Sequence, residues 1–391
     1  MQWKIILLLL CFELPALADW YNSGWAHRVK VSSVHTKVDA DLTDYPVYVD
    51  LSDLPDAFFD NTNAGCVDIR VTSSDGTTEI PREIVKCDRT ANGGELHFKA
   101  SSIANASNSD FYLYYGNGDA GDYATSATYG RNNTWTSYDI VFHFQGDPSA
   151  TAPQLVDVAG TVAGGVTNGS MTSGDEVPGK IGNAWDFDGS NDQVTLGNGD
   201  AFQLDSSSNT WSISLWSLRN TIVPGAMLFQ GRTSVTPYPG FHSFYGTGSP
   251  LQIGLSPASG PQQLINTAAS PSSTATWYHY DWTFNGPSTK INWYYNGVID
   301  ADVNNVTTTK TWSIAAATKV NLACDKQHQN QFINGQFDEM RVSSDIKTAT
   351  WISTTHNNQS SPSTFYSVGS EESAPAPAAG SGSGLGFGGM F

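Results

Sequence analysis

Short alternating or aromatic-rich runs, each closed by a cluster of Gly, Asn, Asp, Ser or Pro, recur along this chain, and helical periodicity is nearly absent. The clearest runs are 28–32, 45–51, 111–115, 140–144, 211–216, 277–284 and 291–295. Short strands with frequent turn signals predict sandwiches or barrels rather than βαβ units. Asn296-Gly297 and Asn334-Gly335 fall between β-prone segments, where Asn-Gly favours the type I′ hairpin turn. The fold class that follows is all-β.

At 391 residues the chain is too long for one ordinary core and fits two domains. Residues 117–136 are Gly, Asp, Ala, Ser and Thr with few large aliphatics. That marks 121–137 as a connector between a first domain, 19–120, and a second, 138–369. From 370 to 391 a Pro/Ala and then Gly/Ser tail cannot bury a core and is expected to be disordered. Residues 1–18 read as a secretory signal peptide, with Lys4, an apolar stretch at 5–12, and Ala16-Leu17-Ala18 as a small-residue cleavage site. Glu13 and Pro15 interrupt that stretch, whereas a membrane span needs about 20 apolar residues. No later stretch is apolar enough to span a bilayer. The expectation is a secreted or cell-surface protein whose mature chain begins at Asp19.

Cleavage leaves Cys66, Cys87 and Cys324. An exported compartment permits disulfides, and Cys66 and Cys87 share the first domain, so a bridge between them is expected, with Cys324 a buried thiol. Neither has His or Cys at the short spacing that metal ligation needs. Asp and Glu number 37 against 19 Lys and Arg, a formal charge of −18. A surface of that sign repels phosphate backbones, which argues against nucleic acid as a partner. Neutral glycans and divalent cations remain compatible with it.

The most specific stretch is IGNAWDFDGSNDQVTLGN, residues 181–198. It resembles the G-x-A-x-x-F-D-G-x-D-D-x-V hairpin of concanavalin A-like, laminin-G-type jelly rolls, with Gln193 in place of the usual aromatic. The run 211–216, then Trp277-Tyr278-His279 with 291–297, then 332–335 with 337–342, resemble three further strands of that family in its order. The first domain resembles a bacterial domain of unknown function. It shares Trp25 with Arg28, Tyr45-Pro46-Val47, Asp68-Ile69-Arg70 before Asp75-Gly76, 80–83, and 111–117. Phe98 stands where that family has Trp. The two resemblances imply tandem β-sandwiches, the second a concanavalin A-like jelly roll.

Within that fold Trp185, Phe187, Trp211, Trp216, Trp293 and Phe337 are expected in the core. Tyr238, Phe241, Tyr245 and Trp282, with polar neighbours near loops, are the better candidates for an exposed sugar platform. The jelly-roll resemblance implies one Ca²⁺ on Asp338, with Asp188 or Asp192 as second ligands. Against that stand two simpler roles: Asp188 and Asp192 capping a tight turn, and Asp338 pairing with Arg341 or a lysine. In the first domain Asp68, Arg70 and Glu83 read as an ion-pair cluster.

A retaining glycosidase needs two carboxylates about 5–5.5 Å apart, carried on one face of a strand as in Glu-x-Asp-x-x-Glu. No such string occurs, Glu176 falls in a loop, and in a regular strand Glu339 faces away from Asp338. No Gly-x-Ser-x-Gly elbow, His-Glu-x-x-His helix or phosphate loop is present either. The expected function is that of an exported, non-catalytic protein that recognises carbohydrate on a cell surface or in extracellular polysaccharide. The alternatives are an adhesive spacer that recognises a cell-surface protein, and a glycoside hydrolase with unrecognised carboxylates.

Overall fold

The computed structural model describes residues 19–375 except 203, 207–208, 234–235, 237, 248–249, 270, 315–318 and 326–330. The expected signal peptide, 1–18, and residues 376–391 of the expected tail lie outside the described residues.

The strands form two sandwiches, paired antiparallel throughout. In the first, one sheet runs β24 (Tyr366–Val368), β1 (His27–Ser33), β7 (Asp110–Tyr115), β3 (Arg70–Thr72), β4 (Glu79–Ile80), with β25 (Glu372–Ser373) also on β1. Its partner sheet is β2 (Leu42–Asp50), β6 (Gly93–Ile103), β5 (Arg82–Asp88). Val29 and Val31 from β1 and Leu113 from β7 meet Val47 and Val49 from β2 and Leu96 and Phe98 from β6 in one core. The bridge Cys66–Cys87 ties the 3-10 turn Ala64–Cys66 to β5.

In the second sandwich one sheet runs β10 (Glu176–Pro178), β11 (Asn183–Asp188), β23 (Asn334–Ser343), β13 (Thr210–Arg219), β18 (Trp277–Asn285), β19 (Lys290–Tyr295), β20 (Val298–Ile299). Two short strands join it, β8 (Ile140–Phe142) on β23 and β21 (Val306–Thr307) on β19. The facing sheet runs β17 (Gln263–Asn266), β16 (Leu251–Ser256), β15 (Gly240–Tyr245), β14 (Met227–Arg232), β22 (Lys319–Leu322), β12 (Gln193–Asn198), β9 (Val166–Asn168). The all-β expectation is met.

Alternation along β13 and β18 decides what each face carries. Trp211, Ile213 and Leu215, with Tyr278, Tyr280, Trp282 and Phe284, point into the second core. Ser212, Ser214, His279, Asp281 and Thr283 occupy the other face, which in an isolated sandwich would meet water. Here all five are buried. The helix Ala349–Ser360, capped by Thr348 Oγ1 accepting from Trp351 N (3.1 Å), packs on this face through His356, which stacks on His279 and Trp216. Trp216 Nε1 donates to Gln359 Oε1 of that helix (2.6 Å), while Asn358 exchanges hydrogen bonds with the Tyr48 backbone of β2 (2.8 and 2.9 Å). One helix thus fastens the second sandwich to the first.

Several sequence expectations need correction. Phe241, Tyr245 and Trp282 are buried in the second core and form no platform; Tyr238 is half-buried. The polar neighbours of Tyr245 serve its own hydroxyl and ring, through Tyr280 Oη (3.1 Å) and the Arg219 guanidinium 3.9 Å above the ring. Five of the six expected core aromatics join the second core, but Trp216 packs on the opposite face, against His279 and His356. Asn296-Gly297 is a hairpin turn with both φ angles positive, 50° and 80°. Asn334-Gly335 instead lies inside β23, where a Cβ on Gly335 would stand 2.2 Å from Leu218 O.

The boundaries drawn from composition also shift. Residues 366–368 and 372–373, assigned to the jelly roll and to the tail, complete the first sandwich at the β1 edge. A backbone ladder needs no apolar side chains, so composition does not register it. The connector 121–137 is packed down. Asp122 pairs with Arg82 (2.6 Å), the Tyr123 hydroxyl donates to Glu79 (2.8 Å), and Trp135 is fully buried.

Candidate functional site

The seam between the sandwiches holds an unusual density of buried charge. On β6, Leu96 and Phe98 enter the first core, so Glu95 and His97 share the opposite face, both with 0 % exposure. Glu83 of β5 stands directly across from His97 in the ladder. His143 follows β8, and Glu339 and Arg341 come from β23. These groups meet because β23 carries a bulge. Ser214 pairs with Arg341 and Trp216 with Asp338, which leaves Leu215 alone opposite both Glu339 and Met340. Phe337, Met340 and Val342 enter the second core, so Asp338 and Glu339 both fall on the seam side. Glu339 takes the left-handed conformation, φ 51°, that this bulge requires.

His143 is the hub. Its Nδ1 touches Glu339 Oε1 and lies 3.3 Å from Glu95 Oε1, while its Nε2 lies 3.2 Å from Glu83 Oε2. His97 Nε2 lies 2.9 Å from Glu95 Oε1, and its ring stacks on His143 at 5.2 Å. Trp135 Nε1 donates to Glu83, Gln145 Nε2 to Glu95 Oε2 (3.3 Å), and Arg341 Nη2 to Glu339 Oε2 (2.6 Å). One ligand atom each from Glu95, His97, His143 and Glu339 fits within 4.8 Å of all the others, so this group can hold a metal ion.

Burial disfavours charge on every member, and neighbours decide which keep it. For Glu339 the His143 and Arg341 charges outweigh burial and hold its carboxyl well below the usual range. Burial alone would depress His143, but Glu339 and Glu83 together push it well above the ordinary histidine value. Burial, then the charges of Glu339 and Asp338, raises Glu95 well above the carboxylate range, and burial drives His97 well below its usual value. These directions favour the charged form of Glu339, His143 and Arg341 and the neutral form of Glu95 and His97. Beside the cluster opens a cavity of about 250 Å³, lined by Arg82, Asp122, Tyr123, Arg131, Phe144 and Gln145, with Glu83 and His143 reaching its wall.

The residues singled out in the sequence do not assemble into one site. Asp188 Oδ1 accepts from the backbone of Ser190 (2.7 Å), Asn191 (3.1 Å) and Asp192 (3.4 Å), and Asp192 accepts from Ser170 N (3.1 Å) and Asp188 N (3.1 Å). Both are turn residues. Asp188 pairs with Asn334, four residues along β23 from Asp338, or about 13 Å. Asp338 is sealed at 0 % exposure, with Oδ2 accepting from Ile181 N (2.8 Å). Arg341 pairs with Glu339 rather than with Asp338.

Asp68, Arg70 and Glu83 likewise separate. Asp68 accepts from Thr62 Oγ1 (2.6 Å) and from Asn63, Gly116 and Asn117 N, Arg70 lies 3.6 Å from Glu79, and Glu83 turns to the seam. Ser214 Oγ, His279 Nε2 and Asp281 Oδ2 stand at the distances of a nucleophilic triad, 2.8 and 3.1 Å, beneath the helix. The Nδ1 of His279 makes no aligned hydrogen bond among the described residues, and burial pushes the ring well below and the Asp281 carboxyl well above their usual pKa ranges.

Two antiparallel sandwiches joined over a buried polar seam define a two-sandwich all-β protein. Residues 187–353 match the family model of the concanavalin A-like lectin/glucanases superfamily, and residues 65–147 match that of a domain of unknown function (DUF2341). The chain therefore carries a concanavalin A-like domain behind a domain of unknown function. No curated protein matched it. Among solved structures it is similar to domain 4 of AbnA, an extracellular arabinanase from Geobacillus stearothermophilus, in complex with arabinotriose. That likeness has 19 % identity, 56 % of this chain, 97 % of that one and a TM-score of 0.43. The binding domain of botulinum neurotoxin DC in complex with rat synaptotagmin II gives 17 %, 59 %, 52 % and 0.43. A Trypanosoma rangeli sialidase gives 11 %, 66 %, 42 % and 0.41. The chain spans about half the length of these last two, and likeness of this degree says nothing of ligand or activity.

Proposed function

We propose that this is an exported, non-catalytic carbohydrate-binding protein, and that its ligand sits in the cleft between the two sandwiches rather than on the jelly-roll face. The observation that carries the reading is the composition of that cleft. A sugar ring presents apolar C–H faces and a rim of hydroxyls, and a site for it needs apolar wall with a few fixed polar groups. The cleft supplies the exposed Val156 and the half-buried Ile84 as apolar wall, and Arg131, Gln145 and Asp122 as polar groups. Arg131 is half-buried at this cleft, and its Nε is sealed from solvent without a hydrogen-bond partner among the described residues. Tyr123 is held rigid between the Arg70 and Arg82 guanidinium groups, 4.2 and 5.5 Å from its ring. The disulfide supports an oxidising compartment, and with it the secreted or cell-surface location.

The test is a panel of neutral polysaccharides probed with the mature chain, followed by calorimetry on any hit. Saturable binding that free sugar inhibits, weakened at least tenfold in Arg131→Ala, is the expected result. Binding that Arg131→Ala leaves intact would move the site out of the cleft. Binding to surface protein but no glycan would favour the adhesive spacer, and release of reducing ends would end the non-catalytic reading.

A further inference from the structure

The atoms of the seam cluster divide into an inner and an outer set. Glu95, His97, His143 and Glu339 each turn one atom inward: Oε1, Nε2, Nδ1 and Oε1. Three of the four have their other polar atom held from outside. Gln145 Nε2 donates to Glu95 Oε2 (3.3 Å), Arg341 Nη2 donates to Glu339 Oε2 (2.6 Å), and Glu83 Oε2 stands 3.2 Å from His143 Nε2. That is the outer-shell arrangement by which proteins fix the tautomer and orientation of metal ligands. The fourth, His97, has its Nδ1 buried without a partner among the described residues. Four-coordinate bonds of about 2.0–2.1 Å would place neighbouring ligand atoms about 3.3 Å apart. The His97 Nε2–Glu95 Oε1 separation of 2.9 Å and the His143 Nδ1–Glu95 Oε1 separation of 3.3 Å lie close to that value.

We infer that these four residues form a site for one divalent transition cation, of the Zn²⁺ class, shared between the two sandwiches. The ligand chemistry selects the class. Two imidazole nitrogens with two carboxylates suit Zn²⁺ and its first-row neighbours, whereas Ca²⁺ takes six to eight oxygens. The sources of the ligands set the role. Glu95 and His97 belong to β6 of the first sandwich, while His143 directly follows β8 and Glu339 lies on β23 of the second, so the ion is held only when the two are docked. The cavity that reaches Glu83 and His143 provides its way in. Gly182 lets the backbone pack closely against the cluster, because a Cβ there would stand 2.5 Å from Glu95 Oε2.

The experiment uses the tag-free mature chain, stripped with chelator, dialysed and titrated with Co²⁺ as a spectroscopic probe and with Zn²⁺ and Ca²⁺. One equivalent of Co²⁺ is expected, with visible d–d bands, displaced by Zn²⁺ and not by Ca²⁺. The melting temperature should rise by roughly 5 °C with Zn²⁺ at high saturation. His143→Gln should lose the uptake, and Asp188→Asn, away from the seam, should keep it. X-ray absorption at the zinc edge of the wild-type protein guards against variants that fail to fold. It should show imidazole scattering and ligands at about 2.0–2.1 Å. Uptake below about a tenth of an equivalent by folded wild-type protein, a zinc edge without imidazole, uptake undiminished in folded His143→Gln, or preference for Ca²⁺ would each overturn the assignment.

Discussion

Glu339 holds a left-handed backbone angle, 51°, that costs a non-glycine residue about 1–2 kcal/mol. What it gains is the buried contact with Arg341 and His143. Replacing it with Gln leaves the Arg341 guanidinium buried without a counter-charge, a loss of roughly 3–5 kcal/mol. Asp338, one position away, behaves differently. Burial and the Glu339 charge raise its carboxyl well above the usual range, which favours the neutral form. Asp338→Asn keeps the acceptor for Ile181 N and should cost less than about 1 kcal/mol. Denaturant unfolding of the two variants side by side checks the contrast, and equal losses would refute it. A strict two-residue alternation assigned these acids to opposite faces. The bulge that reunites them has no glycine to announce it, so the sequence pattern gave no cue.

At the scale of single elements, the helix Ala349–Ser360 decides how the outer face of the nine-stranded sheet behaves. His356 stacks on Trp216 and His279, 5.6 and 5.8 Å away, and burial with the nearby Lys180 charge lowers its pKa to about 4. A histidine with a depressed folded pKa binds fewer protons when folded than when unfolded. Its stabilisation is therefore complete above about 6.5 and is lost as pH falls from there toward 4. The melting temperature of wild-type protein should fall through that window, and His356→Gln should make the fall shallower. An unchanged slope would show that His356 takes no part. The period-two pattern of β13 and β18 was readable, and with it the core aromatics. The fate of Ser214, His279 and Asp281 was not, because alternation marks a residue as facing outward without saying what lies outside. The disulfide was readable from cysteine number and the compartment expected from the sequence. Reducing it, or replacing Cys66 and Cys87 with Ala, should cost about 3 kcal/mol for a loop whose ends are 21 residues apart, measured by chemical denaturation.

For the whole molecule, the sequence suggests beads in series, and the topology is an insertion. The first sandwich begins at β1 and is finished by β24 and β25, with the second sandwich and the helix built between. Phe365 and Tyr366 are buried in the first core, and the Tyr366 hydroxyl donates to Asp53 (2.7 Å). Ending the chain before Phe365 should therefore expose the β1 edge and cavitate the first core. Limited proteolysis should then cut within 27–115 at least several-fold faster, while the jelly roll survives as a resistant fragment. Equal resistance of both halves would contradict the insertion. The seam cluster was invisible for the same reason: Glu95 and His97 share one strand face, but His143 and Glu339 lie far along the chain and no local spacing connects them to that pair.

That insertion also settles how the protein answers tension. His27 pairs with Ser373, and Ala374 N donates to Ala26 O (2.8 Å), so the two ends of the described chain leave the molecule side by side. A pull between them opens the β25 and β24 pairings like a zip, one rung at a time, the weakest way to load an antiparallel ladder. The jelly roll lies outside the line of force until that zip has run. Stretched by both ends, the protein should yield early at low force by a short extension, with its second sandwich still folded.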